Sequence, residues 1–284
     1  MPIDACFQKG ALPLSFEVFP PKGELALDQA ERVVGELASL SPAFVSVTCS
    51  AGGSGNSANT VAVASLVQNR FDIPALAHLT CMGATAQDIA ARLAALSDAG
   101  VGNVLALRGD PLPGAALADF RFAKDLIPMV AREGFCVGAA AYPEGHIDCL
   151  DFGASLEHLR QKQDAGARFL VTQLCFDNDQ ALAFLEAARN AAITVPIAFG
   201  IMPFLSKDQI SRMVFTCGAS LPSAVIKLLA RWEHDPDSLR AAGIEYACRQ
   251  LAGLAEAGVD GLHVYTMNRP EIARAAAEAL ACYR

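Results

Sequence analysis

Three times along the chain a helical period ends in an acidic residue, an alanine and a glycine, and an apolar run follows within a few residues. Asp98-Ala99-Gly100 precedes NVLALRGD, Asp164-Ala165-Gly166 precedes RFLVTQ, and Glu256-Ala257-Gly258 precedes DGLHVYT. Glu133-Gly134 before FCVGAAAY is a shorter form of the same joint. Glycine there supplies the left-handed residue that closes a helix and turns the chain into a strand. A chain built on such joints alternates helix and strand. Its short continuous apolar runs have the pattern of parallel strands covered on both faces.

Eight such runs predict strands at 14–19, 44–48, 75–80, 101–107, 135–142, 169–173, 196–200 and 261–265. One helix between them carries the apolar stripe Leu27, Val33, Val34, Leu37 and Leu40. Another carries Ile89, Leu93 and Leu96 and is opened by a capping box from Thr85 to Asp88. Further helices are predicted at 57–70, 117–133, 153–165, 179–191, 206–219 and 270–282, with extra helical sequence at 223–256. Eight alternations without a linker give one α/β domain over 1–284, a (β/α)8 TIM barrel. A doubly wound sheet would need a glycine-rich phosphate fingerprint after its first strand. The chain has Pro20-Pro21-Lys22-Gly23 there, and Gly52-Gly53-Ser54-Gly55 after the second strand lacks the spacing to a helix.

Composition narrows the function classes. With 53% hydrophobic and 18% charged residues the chain is not disordered. A net charge of −8 without any basic cluster argues against nucleic acid as a partner. The longest uncharged apolar stretch, 191–205, is broken by Pro196, Gly200 and Pro203, too punctuated to span a bilayer. No basic start leads into an apolar stretch, so no secretory signal and a cytoplasmic location are expected. Nine dispersed cysteines without a C-x-x-C pair read as buried free thiols.

A barrel of this kind does its chemistry at the C-terminal ends of its strands. Those ends offer Glu17, Thr48, His78, Asp110, Tyr142, Gln173 and Tyr265. Any one could be structural; seven converging on one mouth point to a site. Glu17 lies in SFEVFPP, flanked by Phe16 and Phe19, with no cation before Lys22. Burial among apolar groups raises a carboxyl pKa and makes a proton donor at neutral pH. The structural alternative is an ion pair with an arginine across the barrel. Asp110 in LRGDP also fits an ordinary Asp-Pro turn. His263 reads as a satisfied core residue, and His146, His158 and His234 as loop or helix positions. No zinc-like ligand spacing and no lysine at a strand end is present, so neither a metal nor a Schiff base is expected. An organic cofactor is the remaining carrier of chemistry.

Taken in order, FEVFPPKG, FVSVT, AHLTC, LALRGD, AAYPEGH, KQDAGA, TQLCFD, GIMP and HVYTMNRP resemble the methylenetetrahydrofolate reductases. The likeness runs from about Ser15 to Ala281. It implies a barrel with FAD at the strand ends that reduces 5,10-methylenetetrahydrofolate to 5-methyltetrahydrofolate with NADH or NADPH, in a ping-pong relay. By the resemblance, Glu17 is the acid that protonates the bridging folate nitrogen and opens the ring to an iminium, and Asp110 is the carboxylate that stabilises that cation. Gln173, Gln209, Tyr265 and Arg269 match positions that contact the substrate. Thr48, His78, Arg108, Gly109 and Asp110 match FAD contacts, as do Ala123, Tyr142, His146 and Lys162.

Ser155, His158 and Gln161 depart from the Asp, Asn and Arg that some family members carry against the nucleotide. That departure motivates the alternative of a flavin-free reductase passing hydride directly from NADH to the folate. A non-redox barrel that binds folate or transfers its methyl group is the alternative from another class. Met213 stands where the family can place an aromatic ring against the nicotinamide. The resemblance further implies a homo-oligomer, and with nothing appended after the eighth barrel helix no regulatory domain is expected.

Overall fold

All four glycines at the predicted joints adopt left-handed backbone, with φ of 73° at Gly100, 86° at Gly134, 119° at Gly166 and 73° at Gly258. Each closes its helix with the same pair of hydrogen bonds. At the first joint Gly100 N–H donates to Ser97 O at 2.9 Å and Val101 N–H to Leu96 O at 2.9 Å. A fifth joint of this geometry is invisible as a glycine motif, because Ala192 takes the left-handed position with φ 60°.

The computed structural model describes residues 1–8, 10–20, 26–49, 57–110 and 119–284. Its strands are β1 (Leu14–Val18), β2 (Phe44–Val47), β3 (Ala75–Thr80), β4 (Asn103–Leu107), β5 (Cys136–Ala141), β6 (Phe169–Thr172), β7 (Ile197–Ile201) and β8 (Gly261–Tyr265). They pair in parallel and in sequence order, and β8 returns to β1, closing a (β/α)8 barrel. The helices are α1 (Ala26–Ala38), α2 (Ser57–Ser65), α3 (Ala86–Asp98), α4 (Ala123–Arg132), α5 (Phe152–Asp164), α6 (Asn178–Asn190), α7 (Lys207–Cys217), α8 (Ser223–Arg231), α9 (Pro236–Glu256) and α10 (Pro270–Ala279).

Several expectations need correction. Helix α4 begins at Ala123 rather than 117, because the Asp125 carboxylate accepts the Phe122 N–H at 2.8 Å and fixes the start there. The stretch 223–256 is two helices: Asp235 caps α9, and Pro236 sits at its first position, where no amide is missed. Leu27 is 51% exposed, so the buried stripe of α1 runs through Ala30, Val34 and Leu37 instead. Of the nine cysteines only Cys81, Cys136 and Cys175 are buried, while Cys282 is exposed and the others lie between. Lys22, Gly52-Gly53-Ser54-Gly55 and Pro111 lie outside the described residues.

Strand residues alternate between two environments. One set, including Phe16, Val45, Val104 and Val264, packs under the helices in the main apolar cluster. The other faces the barrel axis. At the bottom, Phe44, Leu76, Leu105 and Phe169 form a plug with Ile3, which a short N-terminal 3-10 helix (Ile3–Cys6) inserts beneath them. Ile3 N–H donates to the buried Asn103 side chain at 2.9 Å, which pins that plug. Each fully buried phenylalanine contributes about 1.5–3 kcal/mol. Nearer the strand ends the axial positions turn polar, and the site begins there.

Candidate active site

Register places Glu17 opposite Ser46 on β2 and Tyr265 on β8, with Ser15 opposite His263. These inward positions build one buried polar cluster. Glu17 Oε2 lies 3.5 Å from His78 Nε2 and 3.7 Å from His263 Nε2. Each imidazole is fixed by a serine on a neighbouring strand. Ser46 Oγ is 2.6 Å from His78 Nε2, and Ser15 Oγ is 2.8 Å from His263 Nδ1. His263 also stacks on Phe44 and meets Tyr265 edge-on, so its ring is held from both sides. Burial pushes the His78 pKa down; Glu17 opposes that shift and His263 adds to it. The Tyr265 phenol is pushed well up by burial, and its hydroxyl donates to Thr172 O at 2.6 Å.

Two expectations change here. Among the described residues Glu17 has no arginine partner across the barrel, and it is not set among purely apolar groups, since two histidines lie beside it. His263 is not a satisfied core residue, since its Nε2 is buried without a hydrogen-bond partner.

The end of β8 also holds the end of β1. Thr266 Oγ1 donates to Glu17 O at 2.6 Å. Asn268 then pairs with both backbone groups of Phe19. Met267 and Asn268 both carry positive φ, 53° and 56°. Two consecutive left-handed non-glycine residues store strain, of a kind that clusters at functional sites. Gln209 on α7 donates to Met267 Sδ and accepts the Leu205 N–H, so its amide supports this turn.

A second region opens beside the cluster, a cleft of about 900 Å³ including its mouth, between the ends of β4 and β5 and helices α4 and α5. Arg108, Ala123, Tyr142, His146 and Lys162 line it. Lys162 Nζ donates to Ala140 O at 2.8 Å and lies 5.2 Å from the centre of the Tyr142 ring. Burial, then the Arg108 charge, pushes the Lys162 pKa down to about 8. No carboxylate pairs with it among the described residues, so the cleft holds positive charge that an anionic ligand would neutralise. Arg108 itself pairs with Asp148 at 2.8 Å. His146 Nδ1 accepts the Asp148 N–H, and burial lowers the His146 pKa, so the ring is neutral with its proton on Nε2.

The remaining predicted positions are more scattered. Asp110 is exposed just after β4, and its charge reaches Tyr142, His146 and Cys217. Gly109 packs against Thr80 with φ 83°. Thr48 directly follows β2, and its carbonyl accepts the Thr60 hydroxyl. Gln173 folds back to accept the Leu174 N–H, and Arg269 sits at the mouth beside Glu271. Neither touches Glu17 directly. Of the divergent positions, Ser155 and His158 line the cleft, and Gln161 accepts a hydrogen bond from Lys124 Nζ at 2.7 Å. Met213 packs into an apolar cluster beneath α7 and α8.

Ser15, Ser46, Thr266 and Asn268 were not among the expected site residues. A two-residue period would have found two of them, since Ser15 shares the face of Glu17 and Ser46 that of Thr48; it puts Thr266 on the outward series with Val264. Asn268 follows the strand and has no such signal.

Among the described residues, no helix is long and apolar enough to cross a membrane. The family model for methylenetetrahydrofolate reductase matches residues 3–281. The chain is 32% identical over 283 residues to methylenetetrahydrofolate reductase (NADH) 1 of Arabidopsis thaliana, covering 94% of this chain and 48% of that protein. It is 31% identical over 268 residues to the 5,10-methylenetetrahydrofolate reductase of Escherichia coli, covering 94% of this chain and 90% of that protein. It thus spans about half the length of the plant relative and most of the bacterial one. A Clostridium thermocellum protein described as binding two copies of 5-methyl-5,6,7,8-tetrahydrofolic acid superposes with a TM-score of 0.68, 13% identity and coverage of 100% and 99% of the two chains. That likeness speaks to the fold.

Proposed function

The chain belongs to the methylenetetrahydrofolate reductase family, and on that premise we propose that it reduces 5,10-methylenetetrahydrofolate to 5-methyltetrahydrofolate with NADH or NADPH as the electron source and FAD as cofactor. The observation that carries this reading is Glu17, held between two serine-anchored imidazoles at the strand ends of the barrel. In this role Glu17 donates a proton to the bridging nitrogen of the folate, whose ring opens to an iminium. Burial at the barrel mouth limits water around that cation. Asp110 at the rim supplies negative charge that stabilises it. The (NADH) in the plant relative's name supports NADH as the donor.

FAD fits the cleft on charge grounds, because the buried, uncompensated Lys162 and the nearby Arg108 suit a pyrophosphate. When bound, FAD supplies two-electron hydride chemistry between the nicotinamide and the folate. Tyr142, His146 and Ala123 would shape the rest of its pocket, and Thr48, His78 and Gly109 its edge towards Glu17. Gln173, Gln209, Tyr265 and Arg269 stand at and beyond the ends of β6, β7 and β8, where the folate would enter; Arg269 has the fork geometry for a carboxylate.

A second reading rests on Gln161. Its amide is engaged by Lys124 and Glu157 rather than offered to the cleft, which favours weak FAD binding and direct hydride transfer from NADH to the folate. Purified protein, with and without added FAD, separates the two. Flavin absorbance that NADH bleaches and methylenetetrahydrofolate restores is the expected result. NADH oxidation that requires only the folate would install the second reading. Glu17→Gln is expected to keep the bleaching and to lose folate reduction by about 10²–10⁴-fold, the usual range for a general acid.

A further inference from the structure

Besides Glu17, a half-buried carboxylate stands at the mouth that the chemistry proposed above does not use. Glu144 lies in the turn Tyr142-Pro143-Glu144-Gly145-His146 after β5, whose Tyr142 and His146 line the cofactor cleft. Its own carboxylate is spent elsewhere. Both oxygens accept the Ser220 N–H, at 3.0 and 3.2 Å, in the loop between α7 and α8. The carboxylate also lies beside the Cys175 thiol just beyond β6. Burial, with the Glu144 charge adding to it, pushes that thiol up to about 12, so the sulfur next to Glu144 stays uncharged.

An apolar contact doubles the link. Gly218 closes α7 with φ 69°, and a Cβ on it would meet Ile147 at 3.4 Å. Ala219, next in the chain, is buried in the cluster beneath α7 and α8. The other end of α7 is tied to the far side of the mouth, where Gln209 Nε2 donates to Met267 Sδ beyond β8 at 2.7 Å. Helix α7 therefore runs from the end of β8 to the end of β5, packed on Leu174, Phe176, Met202 and Phe204, which follow β6 and β7. Near its C-terminal end, Cys217 lies within electrostatic reach of both Tyr142 and Tyr265. The helix is a strap across the mouth with an anchor at each end.

We propose that Glu144 is a positioning residue: by holding Ser220 it fixes the C-terminal end of α7, which keeps Gln209 in place for the folate and the mouth closed between Tyr142 and Tyr265. This rests on the reading of the mouth as the folate site. A helix pinned at one end can swing about that pin, whereas two pins hold its side chains in one geometry. A hydrogen bond to an ionised carboxylate is roughly twice as strong as a neutral one. Here it joins two turns that no strand pairing connects.

Hydrogen exchange of the backbone amides reads this anchor without any ligand. In Glu144→Ala the Ser220 amide is expected to exchange about tenfold to a hundredfold faster, through loss of one hydrogen bond to a charged group. Glu144→Gln keeps a carbonyl oxygen for the same N–H and should restore slow exchange. Ile147→Ala trims the apolar half of the contact at an exposed side chain, and should move Ser220 in the same direction by a smaller factor. In turnover with NADH, Glu144→Ala should raise the KM for methylenetetrahydrofolate several-fold with kcat much less changed, and Glu144→Gln should return it towards the wild-type value. A merely structural role would do the reverse, since fewer folded molecules lower the apparent kcat and leave KM alone. Faster exchange with an unchanged KM, or exchange and KM both unchanged in Glu144→Ala and Ile147→Ala, would overturn the role of Glu144. A wild-type protein that turns over no methylenetetrahydrofolate would instead overturn the reading on which it rests.

Discussion

Asn268 pairs with Phe19 as a strand residue would: its Oδ1 accepts the Phe19 N–H at 3.0 Å and its Nδ2 donates to the Phe19 carbonyl at 2.8 Å. Strand β1 ends at Val18, so this side chain prolongs the sheet by one rung where the backbone has already turned away. Glu17 lies two residues before that rung. Asn268 is therefore expected to set the reach of Glu17 into the mouth.

Asn268→Gly keeps the left-handed backbone and deletes the rung, whereas Asn268→Ala deletes the rung and adds strain at φ 56°. Two hydrogen bonds of about 0.5–1.5 kcal/mol each are lost in both. We expect both to lower kcat for folate reduction several-fold, and Asn268→Ala alone to lose about 1 kcal/mol more stability in thermal unfolding. Equal stability of the two variants would show that the turn carries no strain.

How much of this was legible in the sequence depends on whether the signal is local. The glycine joints report helix ends, so strand order and barrel closure followed from counting them; Ala192 shows where the signal fails, because a strained alanine can do the same work. Glu17, His78 and Tyr265 stood out as polar residues ending apolar runs. Ser15 and His263 did not, because each sits inside its run, and their significance lies in a pairing 248 residues apart. The environment of Glu17 is hidden from its sequence for the same reason. Of its flanking phenylalanines, Phe16 packs under the helices and Phe19 is exposed, whereas its spatial neighbours are imidazoles from other strands.

Gly200 on β7 has no room for a side chain. A Cβ there would meet Thr172 O at 2.4 Å and the Tyr265 ring at 2.7 Å. Those are the two partners of the hydrogen bond that fixes Tyr265. Gly200→Ala is expected to cost about 1–3 kcal/mol as an overpacking change, read as a lower Tm. Because the clash displaces Tyr265 against His263, folate turnover should fall more than the loss of folded protein explains. A variant with wild-type Tm would mean that β7 shifts freely.

Asp148 competes with any anionic ligand for Arg108. The pair is 2.8 Å apart, but the Asp148 side chain is 60% exposed, and such surface pairs are worth no more than about 1 kcal/mol. Asp148→Asn should therefore tighten FAD binding by up to about fivefold, measured by quenching of flavin fluorescence. The gain should fade as salt is raised, since an exposed pair is screened. Unchanged affinity at low salt would mean that Arg108 does not meet the cofactor.

Lys162 gives the cleft a pH dependence whose sign follows from its surroundings. Burial and Arg108 hold its pKa at about 8, below the ordinary lysine range. In the ligand-free protein the folded state thus binds this proton less readily than the unfolded state. Stability attributable to Lys162 should rise as pH increases from about 8 into the ordinary lysine range, and be flat below 8. Binding of a pyrophosphate reverses the preference by favouring the charged amine. Below pH 8 the lysine is already protonated and binding needs no proton. Above pH 8 binding must take one up, so affinity should fall towards tenfold per pH unit. Calorimetric titration with FAD in two buffers of different ionisation heat would register that uptake at pH 9 and little at pH 7. Lys162→Met should abolish both the uptake and the pH slope, and weaken binding at pH 7 by about tenfold to a hundredfold, the loss of one charge-assisted hydrogen bond. A slope that survives in Lys162→Met would assign the titration to another group in the cleft.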